Sequence, residues 1–335
     1  MQTDRPALLI TGPLDPVVEE FEVACEERGL PLLVLDREKY GIDWGLSWTS
    51  GGGRIECIVE HGRGSFDSRH LRSAFVRREF VTSAADAGLI GGEAEYIGVQ
   101  RAIHVNSVLR WLSSWVPFMN EPLANIRAMS KMVQQQTALD VGLTVPRTFV
   151  GDSATLAADF QAVDSCPLCK KPIEATRLRT ETGGVAVHLT KRFERRTLDE
   201  LQSLKSCPCV LQQFIEKRDE LRVTIVGQRV FACRIDTSSA HLDAQVDWRH
   251  YDWANTAHEI VELDETVRAQ LLEFMARLEL SYGAIDLVRG QDGATYFLEV
   301  NPLGQWLWIE DLTDVPISEA IIDWMEDPEP AYSLG

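Results

Sequence analysis

Apolar residues follow two different periods along this chain, and the first 35 residues show both. Ala7-Leu-Leu-Ile10 and Pro31-Leu-Leu-Val-Leu35 are short apolar runs, whereas the segment 16–25 between them carries its apolar residues at helical spacing. Short apolar runs are typical of buried strands, and the spacing between them indicates an amphipathic helix. Because a strand–helix–strand unit implies a parallel sheet, the start of the chain is predicted to be an α/β domain.

The rest of the chain has more strand-like than helix-like segments. A hairpin is predicted from Ile42 to Glu60 around the glycines at 51–53. Further strands are predicted at 74–78, 145–150, 167–172, 184–189, 210–214, 221–226, 229–235, 283–288 and 296–301, and helices within 85–112 and at 123–141, 155–163, 199–204, 265–278 and 316–325. The second half is therefore predicted to be α+β, with ligands bound between the lobes.

Composition and charge narrow the possible functions. Hydrophobic residues make up 45% of the 335 residues and charged residues 25%, as in ordinary soluble globular proteins. No apolar run approaches the ~20 residues that span a bilayer, and the polar N-terminus does not resemble a signal peptide. A cytoplasmic protein without membrane contacts is therefore expected. The formal net charge of −18 argues against nucleic-acid binding, but a few local cations would suffice to bind a nucleotide.

The seven cysteines are expected to be free thiols, because nothing indicates export. Two pairs deserve comparison with zinc sites, namely Cys166 with Cys169 and Cys207 with Cys209. Their spacing fits a zinc site imperfectly, and both pairs fall in predicted buried strands, where cysteine usually packs as a small apolar residue. Packing is the favoured interpretation.

A carboxylate-bearing hairpin near the C-terminus predicts a metal site. Glu299 and Asn301 lie two apart in an apolar strand and so point the same way. Asp286 lies in the preceding apolar strand, and Gln291-Asp-Gly293 can form the turn between the two. Acids in such apolar surroundings need partners, and three hard oxygen donors suit Mg²⁺.

Two other segments have features of a nucleotide site. Lys171 ends an apolar strand and can reach a phosphate, with Lys170 as the alternative. The loop 174–184, rich in hydroxyl side chains and glycine, can close over phosphates, although it lacks the Walker pattern. The segment 210–217 can hold adenine between apolar side chains, with the backbone of Gln213 and Ile215 pairing with the base. Glu216 or Glu220 could then reach the ribose.

Three arginines recur on the strands and loop that follow, at Arg222, Arg234 and Arg249. Arginines that face inward suit phosphate or carboxylate oxygens, because the guanidinium can donate two parallel hydrogen bonds. Any one of them could equally be a surface arginine.

The order of these residues along the chain resembles that of a known family, the ATP-grasp carboxylate ligases. The resemblance covers the chain from about Asn120 to Glu310. The residues that carry the resemblance, in order, are Lys131, Lys171, Gln212, Gln213, Phe214, Ile215, Glu220, Arg222, Asp286, Glu299 and Asn301. Narrower features resemble the microviridin-type graspetide maturases, which close macrocycles on ribosomal peptides: 76–78, 246–249 and the tryptophan-rich segment 301–310. Leu303 and Glu220 depart from that subfamily, which usually has Asn and Asp at these places.

The resemblance implies a division of the chain and a reaction. It implies a pre-ATP-grasp α/β domain at 1–117 and two ATP-grasp subdomains at 118–208 and 209–335, with ATP between the lobes. A substrate carboxylate would attack the γ-phosphate, and a hydroxyl or amine would then attack the acyl phosphate.

The resemblance also implies roles for individual residues. Mg²⁺ would be held by Asp286, Glu299 and Asn301. ATP would be bound by Lys131, Lys171, Gln212, Gln213, Phe214, Ile215, Glu216 and Glu220, and Arg222, Arg234 and Arg249 would serve the reaction.

The implied partner is a ribosomal precursor peptide with a leader and a core. The leader would dock near the hairpin 174–191, and a core acid would meet Arg222 or Arg249. A homodimer is one oligomeric state that the resemblance suggests. Two other functions stay open, an intermolecular carboxylate–amine ligase and a noncatalytic nucleotide sensor, although the segment 305–310 favours the macrocyclase.

Overall fold

A computed structural model describes residues 5–62, 64–78, 91–173, 177–179, 185–250 and 252–333. It shows a mixed α/β protein with five separate sheets among these residues. No helix in these ranges combines the length and the apolar composition needed to cross a membrane.

The first part of the chain forms a small parallel sheet and an antiparallel one. Its elements are β1 (Ala7–Thr11), α1 (Val17–Arg28), β2 (Leu32–Asp36), β3 (Trp44–Gly51), β4 (Arg54–His61), β5 (Gly64–Asp67), β6 (Ser73–Val76) and α2 (Gly92–Leu112). Strand β1 lies between β2 and β6, and both pairings are parallel, as the strand–helix–strand pattern predicts. Strands β3 and β4 form the predicted hairpin, and Gly52 and Gly53 take the positive φ that its turn requires.

The middle of the chain forms a four-stranded antiparallel sheet in the order β11-β8-β12-β7. Its elements are α3 (Pro122–Ala128), α4 (Lys131–Asp140), β7 (Thr148–Gly151), α5 (Ala154–Ala162), β8 (Leu168–Lys171), β9 (Arg177–Arg179), β10 (Val185–Val187), β11 (Lys191–Phe193), α6 (Leu198–Leu201) and β12 (Cys209–Gln213). Strands β9 and β10 pair with each other. The proposed domain boundary at 208 lies immediately before β12, so hydrogen bonds of this sheet cross it.

One predicted helix in this region is in fact two. The sequence predicts a single helix over 123–141, but the chain ends α3 at Ala128 and begins α4 at Lys131. The side chain of Ser130 accepts a hydrogen bond from the N–H of Val133 and so caps the second helix. The break matters because it puts Lys131 in the first turn of α4, on the side that faces the last strand of the next sheet.

The last part of the chain forms a five-stranded antiparallel sheet in the order β15-β14-β13-β16-β17. Its elements are β13 (Lys217–Val226), β14 (Arg229–Asp236), α7 (Leu242–Val246), β15 (Ala257–Val261), α8 (Glu265–Arg277), β16 (Tyr282–Gly290), β17 (Thr295–Asn301), α9 (Leu307–Thr313) and α10 (Ile317–Glu326). The hairpin of β16 and β17 turns at Gln291–Gly293 as predicted. The sequence pattern missed α7, β15 and α9, which are only five to seven residues long.

Trp306 joins the first and last parts of the chain. It is fully buried, and its ring packs against Phe21, Phe75 and Tyr282, which come from α1, β6 and β16. Burying a large aromatic side chain between elements so far apart in sequence fixes them relative to one another. The tryptophan-rich segment is thus first of all a structural connection between the N-terminal sheet and the five-stranded sheet.

Candidate active site

A cleft lies between the four-stranded and the five-stranded sheets. The empty space in this cleft amounts to about 640 Å³, which includes space open to solvent. Of the residues expected to form the site, those lining it are Lys171, Gln212, Gln213, Phe214, Ile215, Glu220, Arg249, Asp286 and Glu299. The tertiary structure therefore brings together side chains that are spread over about 130 residues of sequence.

A β-bulge shapes one end of the cleft. Asp286 on β16 pairs with Glu299 on β17, but the next residue, Leu287, pairs with Phe297, so Leu298 is an extra residue on β17. Simple alternation would turn Leu298 and Glu299 to opposite faces. The bulge instead lets both line the cleft, which re-aims a carboxylate beside an apolar side chain.

The two acids at this end are held by cations. Arg222 pairs with Asp286 across β13 and β16, and its Nη1 donates to Oδ1 at 2.9 Å. The ammonium of Lys131 donates to Oε2 of Glu299, and Nη1 of Arg249 lies 3.9 Å from Oε1. Burial alone would raise the pKa of Glu299, but the charges of Lys131, Lys171 and Arg249 lower it to about 2. Glu299 is therefore ionised at neutral pH.

Asn301, the third expected metal ligand, is not among the residues that line the cleft. It is exposed, and it points to the same face of β17 as Glu299. Its Oδ1 accepts a hydrogen bond from the N–H of Leu303 at 3.0 Å, which orients the amide and leaves a second lone pair. Two carboxylates and an amide oxygen are a donor set that suits Mg²⁺. The residues present thus fit the metal.

Buried Asp247 forms an ion pair with Arg249, which is half-buried and lies beside Glu299. Arg249 donates from Nε to Oδ1 at 2.8 Å and from Nη2 to Oδ2 at 2.9 Å, and the N–H of Thr190 also donates to Oδ2. Burial would raise the pKa of Asp247, but these bonds and the charge of Arg249 lower it to about 2. Sequence reasoning gave a role to Arg249 alone. The acid two residues before it was the available signal for its partner.

The other end of the cleft is mainly apolar. Val288 and Cys169 line it together with Phe214 and Ile215. The N–H of Gln213 donates to the carbonyl of Arg147 at 2.8 Å, and the N–H of Phe214 to that of Pro167. Because the N–H of Gln213 is already used in this way, the expected pairing of its backbone with adenine would have to use its carbonyl, and it stays a prediction. No backbone partner for the N–H of Ile215 lies among the described residues.

Two glutamates were candidates for the ribose, and their surroundings differ. Glu220 is buried, lines the cleft and is paired with Lys217. Burial raises the pKa of Glu220, although Lys217 opposes the effect. Glu216 is exposed, forms an ion pair with exposed Arg192 and lies outside the lining. Geometry favours Glu220.

Some expected site residues do not line this cleft. Arg222 is 7% exposed, contacts Asp286 and lies outside the lining of the cleft. Arg234 pairs with Asp236 and Glu259. Lys170 is exposed and, next to Lys171 on a strand, points to the opposite face. The loop expected to close over phosphates lies largely outside the described residues, at 174–176 and 180–184.

The cysteines show no metal geometry. Cys169 and Cys209 are buried strand residues, but Cys166 and Cys207 lie outside the strands, and Cys207 is exposed. The part of the chain that the structure describes contains no group of three or more His, Cys, Asp or Glu side chains placed to bind a metal. Burial raises the pKa of Cys169 and of Cys209, as expected for thiols that pack as apolar residues.

We compared the chain with protein families, curated sequences and solved structures. The chain matches no protein-family model and no curated protein sequence. It is similar in structure to a RiPP-associated ATP-grasp ligase (RiPP: ribosomally synthesised and post-translationally modified peptide) of Chryseobacterium gregarium, solved with ADP and a leader and core peptide. The two share 25% identity, with a TM-score of 0.86, over 97% of this chain and 98% of the other.

Two macrocyclases of Microcystis aeruginosa MRC are also similar. MdnC, solved with the precursor peptide MdnA, has a TM-score of 0.82 at 25% identity, over 96% of this chain and 100% of that one. MdnB has a TM-score of 0.78 at 25% identity, over 96% and 99%. The likeness spans nearly the full length of both chains and includes the N-terminal α/β part. This protein therefore shares its fold, over nearly its full length, with an ATP-grasp ligase associated with ribosomal peptides and with two macrocyclases.

Proposed function

We propose that this protein uses ATP and Mg²⁺ to close ester or amide bonds within a ribosomal precursor peptide. The observation that carries the proposal is the near full-length likeness to MdnC and to the Chryseobacterium ligase, both solved with their peptides. Neither structure is matched over its catalytic part alone, so the whole architecture is shared. ATP would lie in the cleft between the two antiparallel sheets.

The polar end of the cleft fits the phosphates and the metal. Asp286, Glu299 and Asn301 would hold Mg²⁺, which would neutralise charge on the phosphate oxygens when bound. Lys171 lines the cleft, and Lys131 contacts Glu299. Both ammonium groups can therefore reach anions bound next to the two carboxylates. The chain itself then supplies positioning and positive charge, which is most of what phosphoryl transfer asks of a protein.

The apolar end fits the base and the sugar. Val288 and Phe214 provide faces on which adenine can pack, and the N–H of Ile215 can donate to it. Glu220, close to Lys217, would accept hydrogen bonds from ribose hydroxyls. This order puts the phosphates next to the acids and the base next to the strand end at Gln213.

Arg249 is best placed to bind the acidic side chain of the peptide. Its fork is fixed by Asp247, and its Nη1 points toward Glu299, where the phosphates would lie. A peptide carboxylate entering a cleft already crowded with anions needs a cation of fixed geometry. Arg249 would hold that carboxylate next to the γ-phosphate and stabilise the charge that develops on transfer.

Incubation with a precursor peptide tests the proposal. A short peptide encoded beside this chain, with Thr or Ser and Asp or Glu in its tail, should lose one water, about 18 Da by mass balance, for each bond closed in ATP and Mg²⁺. Methanolysis would reopen esters and leave amides intact. A gain in mass equal to an amino acid would instead establish an intermolecular ligase. Nucleotide binding without ADP formation on any peptide would favour a sensor.

A further inference from the structure

A buried arginine of the N-terminal sheet is connected to the cleft through Gln305. Arg77 follows β6 and is 1% exposed. Its Nε donates to Oδ2 of Asp15 at 2.8 Å, its Nη2 donates to Oε1 of Gln305, and its guanidinium lies 4.2 Å above the ring of Trp306. Three contacts on three sides leave this side chain little freedom.

Asp15 holds Arg77 from the other side. Its Oδ2 also accepts from the hydroxyl of Thr11 at 2.6 Å, and its Oδ1 accepts from the N–H of Val17 at the start of α1. Burial would raise the pKa of Asp15, but the hydrogen bonds from Arg77 and Thr11 keep it below its ordinary value. The carboxylate is therefore charged, and it anchors Arg77 to the first strand and the first helix.

Gln305 contacts the cleft with its backbone. While its side chain accepts from Arg77, its carbonyl accepts from Nη2 of Arg222 at 3.3 Å. The only other hydrogen bond of the Arg222 guanidinium within the described residues is the one to Asp286, and its Nε is buried without a partner. The position of Arg222 is thus set by two acceptors, the carbonyl of Gln305 and the carboxylate of Asp286.

The backbone at Gly304, next to Gln305, is closely packed. A Cβ on Gly304 would come within 2.8 Å of Nη2 of Arg222 and 2.4 Å of the Cβ of Ala284. The carbonyl of Gly304 also accepts from the hydroxyl of Tyr282 at 2.6 Å. Because the turn is packed so closely against Arg222, a small displacement of Gln305 would be passed on to the guanidinium.

We infer that Arg77 and Gln305 are positioning residues, which hold Arg222 against Asp286 and so fix the carboxylate that binds the metal. The inference rests on the proposed role of Asp286. It extends the active site to the N-terminal sheet, which supplies none of the residues that line the cleft. It also gives the glutamine of the tryptophan-rich segment a task in the reaction, separate from the packing of Trp306.

The test is the Mg²⁺ dependence of nucleotide binding in the full-length protein, measured by calorimetry with ADP and no peptide. Gln305→Ala is the variant of choice, because it removes the link to Arg77 without leaving the Asp15 carboxylate unpaired. It should raise the Mg²⁺ midpoint roughly tenfold, the lower end of the effect of removing groups that orient metal ligands. Its affinity for ADP in EDTA should match that of the wild type.

Two further variants separate positioning from stability. Gln305→Glu keeps an acceptor for Arg77 and should return the Mg²⁺ midpoint toward the wild-type value. Arg28→Gln breaks another contact between the N-terminal part and the last helix, the pair with Asp323, but touches nothing in the cleft. It should leave the midpoint unchanged, even if the melting temperature falls.

Three outcomes would overturn the inference. The first is a wild-type midpoint in Gln305→Ala, and the second is an equal shift in Arg28→Gln. The third is that the affinity of the unmutated protein for ADP does not change with Mg²⁺, since Asp286 would then bind no metal for Arg222 to position. Failure to dehydrate a peptide is a separate result. It would refute the proposed macrocyclisation, but the binding comparison would still decide the role of Gln305.

Discussion

Lys131, the first residue of α4, donates a hydrogen bond from its ammonium group to the carboxylate of Glu299 on β17. A lysine that we propose to contact the phosphates of ATP thus contacts a proposed metal ligand directly. Phosphate oxygens would offer Lys131 a second anionic partner. We therefore expect Mg²⁺ to bind at Glu299 together with nucleotide rather than alone.

Glu299→Gln should abolish turnover and preserve the fold. Loss of the charged ligand should lower ADP formation by at least roughly a hundredfold, since even the partners of metal ligands contribute about 10–100-fold. ADP release with peptide and Mg²⁺ measures the effect, and circular dichroism checks the fold. Glu273→Gln, at an exposed position on α8, is a matched control that should keep full activity. Normal turnover by the Glu299 variant would disprove the metal assignment.

Lys171→Ala should weaken ATP binding, whereas Lys170→Ala should not. The two lysines are neighbours on β8, but only Lys171 lines the cleft. Loss of a hydrogen bond between charged groups would cost about 1.5–3 kcal/mol of binding free energy. Calorimetric titration with ATP and Mg²⁺ compares the two variants. Equal affinities for wild type and Lys171→Ala, with weaker binding by Lys170→Ala, would reverse the assignment.

Arg249→Ala should keep ATP binding and lose dehydration of the peptide. Its proposed partner is the peptide carboxylate, so the transition state loses more than bound ATP does. Mass spectrometry of the peptide and titration with ATP give the two readouts. Arg289→Ala is the matched control, because Arg289 forms a similar two-point ion pair with buried Asp219 outside the cleft lining. Full dehydration by Arg249→Ala would move the substrate role to another cation.

Asp247→Asn should remove a stabilising contribution that depends on pH. The pKa of Asp247 is about 2 in the folded protein against an ordinary 3.8, and at about 1.4 kcal/mol for each tenfold change in proton affinity this amounts to roughly 2–3 kcal/mol. Because the folded pKa is lowered, the contribution is complete above pH 4 and is lost as the pH falls from about 4 to 2.

Urea unfolding at several pH values measures this effect. The difference in unfolding free energy between wild type and Asp247→Asn should shrink between pH 4 and pH 2. Asp243→Asn, at an exposed position on α7, serves as the control and should show a constant difference. A gap for the Asp247 variant that stays the same over this range would contradict the ionised pair.

The sequence by itself determined the kinds of elements and the chemical character of the site. Periods of two and 3.6 residues predict the parallel pair β1 and β2, and turn residues predict the hairpin of β16 and β17. The same pattern predicts that the acids of that hairpin lie on neighbouring strands. These signals are local, so a single segment contains them. The resemblance to ATP-grasp ligases rests on the order of the same residues and is borne out by structural likeness along the whole chain.

Only the tertiary structure decided which groups are available and which are already engaged. The bulge that turns Leu298 and Glu299 to one side, the N–H of Gln213 used by Arg147, and the side chain of Arg222 held behind Asp286 depend on partners elsewhere in the chain. The link from Arg77 to Gln305 joins residues 228 apart in sequence. No local period records such a contact, because it arises only when the N-terminal sheet packs against the last third of the chain around Trp306.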